Sequence, residues 1–216
     1  MTNSVIRRPF KYSYSGAVFW LIGINVLIFA ATQFFDGRVW YLLAERMSMI
    51  PLKIINDKWV WTFVTYMFMH GNFRHILFNM LGLFIFGIHV ERQMGSREFV
   101  LYYFVTGTLA GIFSFGMYYV TGNYWVALMG ASGALFAVEL AYAVLFPDSI
   151  IYIWGIIPLR APVMVLGFTA LELFFSISGR QSNVAHLTHL AGFAFGWIYF
   201  LIRFGVNPWR RLISRR

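Results

Sequence analysis

A serine stands between two glycines in Gly130-Ala131-Ser132-Gly133, at the head of the apolar run "SGALFAVELAYAVLF". A serine hydroxyl becomes a useful nucleophile when a neighbouring base takes its proton. Gly130 and Gly133 leave room for a sharp turn and for a closely approaching substrate. The amides that open a helix lack partners within it and can hold an oxyanion. The 5 histidines are the candidate bases. His189 opens "HLAGFAFG", so Gly192 and Gly196 continue its helical stripe, and small residues four apart let two membrane helices close on each other. If that stripe meets the glycine-rich head of the Ser132 helix, the imidazole reaches the hydroxyl. His186 has no such stripe and is expected near the loop "SGRQSNVA", where water can satisfy it. In "HGNFRHILFN", His75 and Asn79 share one helical face. An amide and an imidazole there could donate to a tetrahedral oxyanion, one such donor being worth about 3 kcal/mol of barrier. Each feature also has a plainer reading. Glycines and alanines pack helices together, and polar groups inside a membrane bond across helices.

The elements that would position these residues follow from composition. The chain has 216 residues, 60% hydrophobic and 12% charged, against about 25% charged in a soluble domain. So little charge cannot cover a water-exposed surface, and a single polytopic membrane domain is expected. Six spans are predicted, at about 17–35, 76–90, 99–119, 132–146, 162–177 and 187–204. The first follows basic residues but has no small-residue cleavage site after it, so it reads as an uncleaved span. Much of the net charge of +9 lies in two tails, 1–16 and 205–216 with Arg203 beside it. Basic tails mark the cytoplasmic side and favour anionic lipid rather than nucleic acid. Two cytoplasmic tails around a 17–204 membrane domain require an even number of spans. The 91–98 connection is then cytoplasmic, and the 121–130 and 178–185 loops are external. The long first loop, 36–75, is too interrupted to span and too apolar to float, so short interfacial helices anchored by Trp40, Trp59 and Trp61 are expected. From Ser132 to Phe146 a helix rises only roughly 22 Å, short of a ~30 Å hydrocarbon core. Its head should lie below the outer surface, with "TGNYWVALMG" entering as irregular backbone beside a water-filled cavity. The absence of cysteine excludes a thiol nucleophile, disulfides and thiolate metal sites.

From about Trp59 to Gly196, "HGNFRHILFN", "VERQMGS", "GASG" and "HLAGFAFG" occur in an order that resembles the rhomboid intramembrane serine proteases. The resemblance implies an all-α, six-transmembrane-helix bundle and a Ser–His dyad without an acidic third member. Ser132 would be the nucleophile and His189 the general base. Asn79, His75 and the Ser132 amide would form the oxyanion hole, and Phe136 would pack on the imidazole. Gly130, Gly133, Gly192 and Gly196 would support that site, and Glu91 and Arg92 would shape the cytoplasmic turn. Implied partners are single-span or multi-span membrane protein substrates in a lipid bilayer, with no nucleic acid, cofactor or metal. Substrates would enter past the fifth span, which contains Pro162 and Gly167. A bacterial inner membrane is the expected location. The sequence departs from the family where Thr62, not arginine, follows Trp61, which puts the usual anchoring of the first loop in question. Glu139 stands where a small residue is expected, and Glu172 is expected to cap a polar cluster or face the bundle, without a catalytic role. Two other readings compete. One is an inactive relative that binds membrane clients. The other is a metal-handling protein using His70, His75, His186 and His189, weakened because no carboxylate accompanies those histidines in the sequence.

Overall fold

The computed structural model describes residues 6, 9–34, 37–153, 155–178 and 183–213, without the side chains of 178 and 183–185. Arg7, Arg8, Arg215 and Arg216 of the tails, the end of the first predicted span and the centre of the 178–185 loop lie outside the described residues. The protein is mostly helical. Four described helices are long and apolar enough to cross a membrane: Ala17–Phe34 (α1), Phe73–Met94, Ser96–Val120 (α7) and His186–Phe204. The second is continuous through α5 (Phe73–Gly82), a π turn and α6 (Ile88–Met94), and the last is α10 (Asn183–Tyr199) extended by another π turn. Two apolar helices are shorter, α8 (Ser132–Leu145) and α9 (Ala161–Ser178).

Helix α8 is the centre of the packing. Apart from Ser132 and Glu139 its residues are apolar all round, as suits a helix enclosed by others. Only Ser132 and Phe136 escape burial along its length. Helix α10 packs against α7, α8 and α9. Two buried tyrosines tie the layers together by donating to helix carbonyls, Tyr102 to Ala137 at 2.6 Å and Tyr66 to Gly107 at 2.7 Å. Each hydroxyl therefore has a partner in an interior where an unpaired one would cost about 1–3 kcal/mol.

The segment 91–98 differs from the expected connection. Helix α6 runs to Met94 and α7 begins at Ser96, so the joint is Gly95 alone, at φ +89°. Glu91 is fully buried and accepts the amides of Ala17 and Val18 at 2.7 and 3.0 Å, as well as the Ser96 hydroxyl. Its negative charge thus meets otherwise unpaired N–H groups at the start of α1.

The segment 36–75 contains α2 (Gly37–Met47), α3 (Pro51–Asp57), α4 (Thr62–Thr65) and a 3₁₀ turn. Trp59 and Trp61 are held without an arginine at position 62. Arg46 arrives from α2 and lies 4.6 Å over the Trp59 ring, while Trp61 donates from Nε1 to the Arg46 carbonyl at 3.0 Å. Thr62 turns inward and donates to the Trp59 carbonyl at 2.6 Å. As anticipated, 121–131 is non-helical. Gly122 and Gly130 take positive φ, and a single bridge pairs Leu128 with Met49.

The all-α expectation needs one correction. An antiparallel hairpin, β1 (Ile150–Ile153) with β2 (Ile157–Arg160), joins α8 to α9. Its β-branched isoleucines suit extended backbone, and Gly155 turns with φ +71°. Asp148 and Arg160 pair at 2.9 Å across its base.

Candidate active site

Ser132 begins α8, and His189 lies within α10. The two helices meet on glycine. A Cβ at Gly192 would run into the Gly133 carbonyl, and one at Gly196 would stand 2.6 Å from the Tyr102 hydroxyl and 3.1 Å from the Ala137 Cβ. Gly133 has its own close neighbours, with Tyr66 and Ala110 at 3.2 and 3.3 Å from a Cβ placed there. This backbone-to-backbone approach brings His189 Nε2 to 2.8 Å from Ser132 Oγ. Phe136, one turn beyond the serine, stacks on the imidazole with centroids 4.6 Å apart and planes 6° from parallel. The ring stack limits the imidazole to one plane.

Helix α5 supplies the opposite wall. Asn72 caps it by accepting the His75 amide at 2.9 Å. His75 then faces the loop before Ser132. Gly130 has φ +117°, and any Cβ there would collide with the His75 ring. That position requires glycine for both backbone angle and space. Asn79 donates from Nδ2 to the His75 carbonyl at 2.7 Å, and its Oδ1 is buried without a partner. His70 stands behind, its ring 5.0 Å from that of His75 and its Nε2 3.5 Å from the Ala131 amide. Burial of His70 lowers its pKa to about 3, with His75 adding to the effect, so the ring is neutral.

Ser132, His189, His75 and Asn79 all line one cavity of about 730 Å³. A smaller one, about 160 Å³, also touches Ser132, His75 and His189, with Gly130 in its wall. Glu139 lines the larger cavity from α8, two turns below Ser132.

Two residues given no catalytic role in the sequence reading also meet at the site. Glu172 of α9 lies between two imidazoles. Its Oε2 is 2.6 Å from His186 Nδ1, and its Oε1 is 3.1 Å from His189 Nδ1. The first contact is a hydrogen bond; the second is close but out of line for one. His186 is therefore satisfied by a carboxylate rather than by loop water. The imidazoles do have an acid beside them, contrary to the sequence expectation. Ligand atoms of Glu172, His186 and His189 fall within 4.8 Å of one another, and their types suit zinc. One signal was available in the sequence: a carboxylate in an apolar helix is costly unless it finds a partner.

Residues 57–206 match the family described as the Rhomboid domain. The chain belongs to the rhomboid family. It is 31% identical over 181 residues to the rhomboid protease GlpG of Haemophilus influenzae, covering 82% of this chain and 88% of that one. It is 28% identical over 181 residues to the rhomboid protease AarA of Providencia stuartii, covering 74% of this chain and 61% of the relative. It is also 31% identical over 206 residues to Rhomboid-like protein 11, chloroplastic, of Arabidopsis thaliana, covering 86% and 64% respectively. Family and apolar helices together support a multi-pass membrane hydrolase of the protease class.

Proposed function

We infer that the protein is an intramembrane serine protease that cuts transmembrane substrates near the outer boundary of the bilayer, using Ser132 and His189. The observation that carries this reading is the 2.8 Å contact between Ser132 Oγ and His189 Nε2 in the wall of a large cavity. With a proton on Nδ1, Nε2 accepts the Ser132 proton as Oγ attacks the scissile carbonyl carbon. The tetrahedral oxyanion is stabilised by the Ser132 amide at the head of α8, by His75 and by Asn79. The imidazolium gives its proton to the leaving amine nitrogen, and an acyl ester remains on Ser132. Water then gives a proton to Nε2 and attacks the ester, and collapse of the second oxyanion returns the proton to Oγ.

Phe168, Leu171 and Phe175 of α9 and Phe78 of α5 border the same cavity, which favours lateral entry of a substrate helix beside α9. Single-span and multi-span membrane proteins both fit that route. Local unwinding must expose the peptide bond, and glycine or β-branched residues lower its cost. In the proposed topology, six spans between 17 and 204 leave the tails 1–16 and 205–216 in the cytoplasm of a bacterial cell, at the inner membrane. The short α8 then ends at the cytoplasmic face, and its serine meets water below the outer surface.

An inactive, client-binding relative is the less favoured reading, since it gives no reason for a serine and an imidazole in hydrogen-bonding contact. The deciding experiment compares purified wild type with Ser132→Ala on a generic transmembrane substrate and on a fluorophosphonate probe. Cleavage and labelling should both vanish while the melting temperature is unchanged, because the glycine-flanked backbone is untouched. Turnover by the variant comparable to wild type would remove Ser132 as nucleophile.

A further inference from the structure

We propose that Glu172, anchored by His186, is a positioning residue that holds His189 in its reactive tautomer and offsets the positive charge it gains. The inference rests on the Ser132–His189 reading and adds a third and a fourth member to it. Three observations converge. Glu172 presents one oxygen to each imidazole, 2.6 Å from His186 Nδ1 and 3.1 Å from His189 Nδ1. His189 uses its other nitrogen on Ser132, so Nδ1 must carry the proton when Nε2 acts as base. The carboxylate therefore faces the nitrogen where a proton is required. The Phe136 stack fixes the ring plane but cannot choose between tautomers.

The bent contact at His189 fits a resting state. Hydrogen bonds of this kind are often poorly aligned before substrate binds and tighten in the reacting complex. His186 fastens Glu172 from the other side, which leaves Oε1 directed at His189. When Ser132 gives up its proton, the imidazolium lies beside a carboxylate inside an apolar helix bundle, where opposite charges attract more strongly than in water. Glu172 also belongs to α9, the helix beside the proposed entry route. A displacement of α9 on substrate entry would change the Glu172–His189 contact, linking access to base strength.

Other titratable groups face His189. His75 of α5 and Glu139 of α8 share its cavity, and His186 lies one turn earlier on α10. Among the described residues, Glu172 is the carboxylate within reach of Nδ1. The test is Glu172→Gln, which preserves size but removes the charge and leaves one acceptor oxygen where the carboxylate has two. Its kcat on a transmembrane substrate should fall at least about tenfold with little change in KM, and fluorophosphonate labelling of Ser132 should slow in parallel. The acid limb of the kcat/KM profile should move to lower pH, since loss of the carboxylate makes protonation of the base harder. A purely structural role would not move that limb. A folded Glu172→Gln with wild-type kcat and an unmoved limb overturns the proposal.

A second measurement does not depend on that variant folding. Histidine-selective nitrogen NMR of Ser132→Ala, with Glu172 intact, should show His189 protonated at Nδ1 when neutral. The opposite tautomer overturns the proposal. Wild-type activity should also survive a strong chelator; loss restored by zinc would assign the three-residue cluster to a metal instead. Continued cleavage by Ser132→Ala would sink the underlying dyad. An inactive Ser132→Ala beside a Glu172→Gln like wild type would sink the role of Glu172 alone.

Discussion

Asn79 donates one amide hydrogen to the carbonyl of its own preceding turn while its oxygen stays buried and unpaired. A buried polar atom without a partner normally costs stability. That oxygen is an acceptor and cannot hold an oxyanion; in the proposed mechanism the second Nδ2 hydrogen would do so. Asn79→Ala should therefore fold and lose about tenfold or more in kcat with KM little changed, measured with purified enzyme. An unchanged kcat would remove Asn79 from the oxyanion hole. The meeting of Ser132 with His189 was legible in the sequence because the glycine stripe after His189 shows which face packs closely. Glu172 was not legible in the same way. Its partners His186 and His189 lie on the next helix, and no helical spacing links residues across a turn of unknown length.

At the scale of elements, two kinds of packing differ. Helices α8 and α10 touch through glycine backbone, so neither can shift without separating Ser132 from His189. Helix α9 carries Leu171, Leu173 and Phe174 exposed, and Leu171 and the half-buried Phe168 border the cavity rather than a close-packed seam. Trimming either Phe168 or Leu171 to Ala should leave cleavage of a transmembrane substrate intact or raise it. A large loss in both folded variants would mark α9 as a fixed wall instead of a gate. The helices were legible from apolar runs, with ends shifted by a few residues. The hairpin was not, because four-residue stretches such as "IIYI" carry too few periods to separate a strand from the apolar flank of a helix. The single-residue joint at Gly95 was read as a longer connection because "ERQMGSRE" is polar. Glu91 is polar for another purpose, to receive the first amides of α1.

Across the whole molecule, stability should depend on pH through groups held neutral by burial. His70 lies in the segment between α4 and α5, with a pKa of about 3 in the folded protein against an ordinary value near 6.5. The unfolded chain therefore binds the proton first as pH falls. The contribution is fully present above about pH 6.5 and is lost progressively towards about pH 3. Thermal melting of wild type should fall between about pH 7 and about pH 4.5, and the fall should be smaller in His70→Gln. Equal falls would show that other groups govern the acid limit. The hairpin between α8 and α9 has a further consequence at this scale. Its turn divides the chain so that Ser132 belongs to one portion and His189 to the other. A polypeptide severed there would yield two inert fragments, each carrying half of the chemistry. Their reunion would rely on the glycine surfaces of α8 and α10, so activity recovered from the pair would report that both fragments share one membrane.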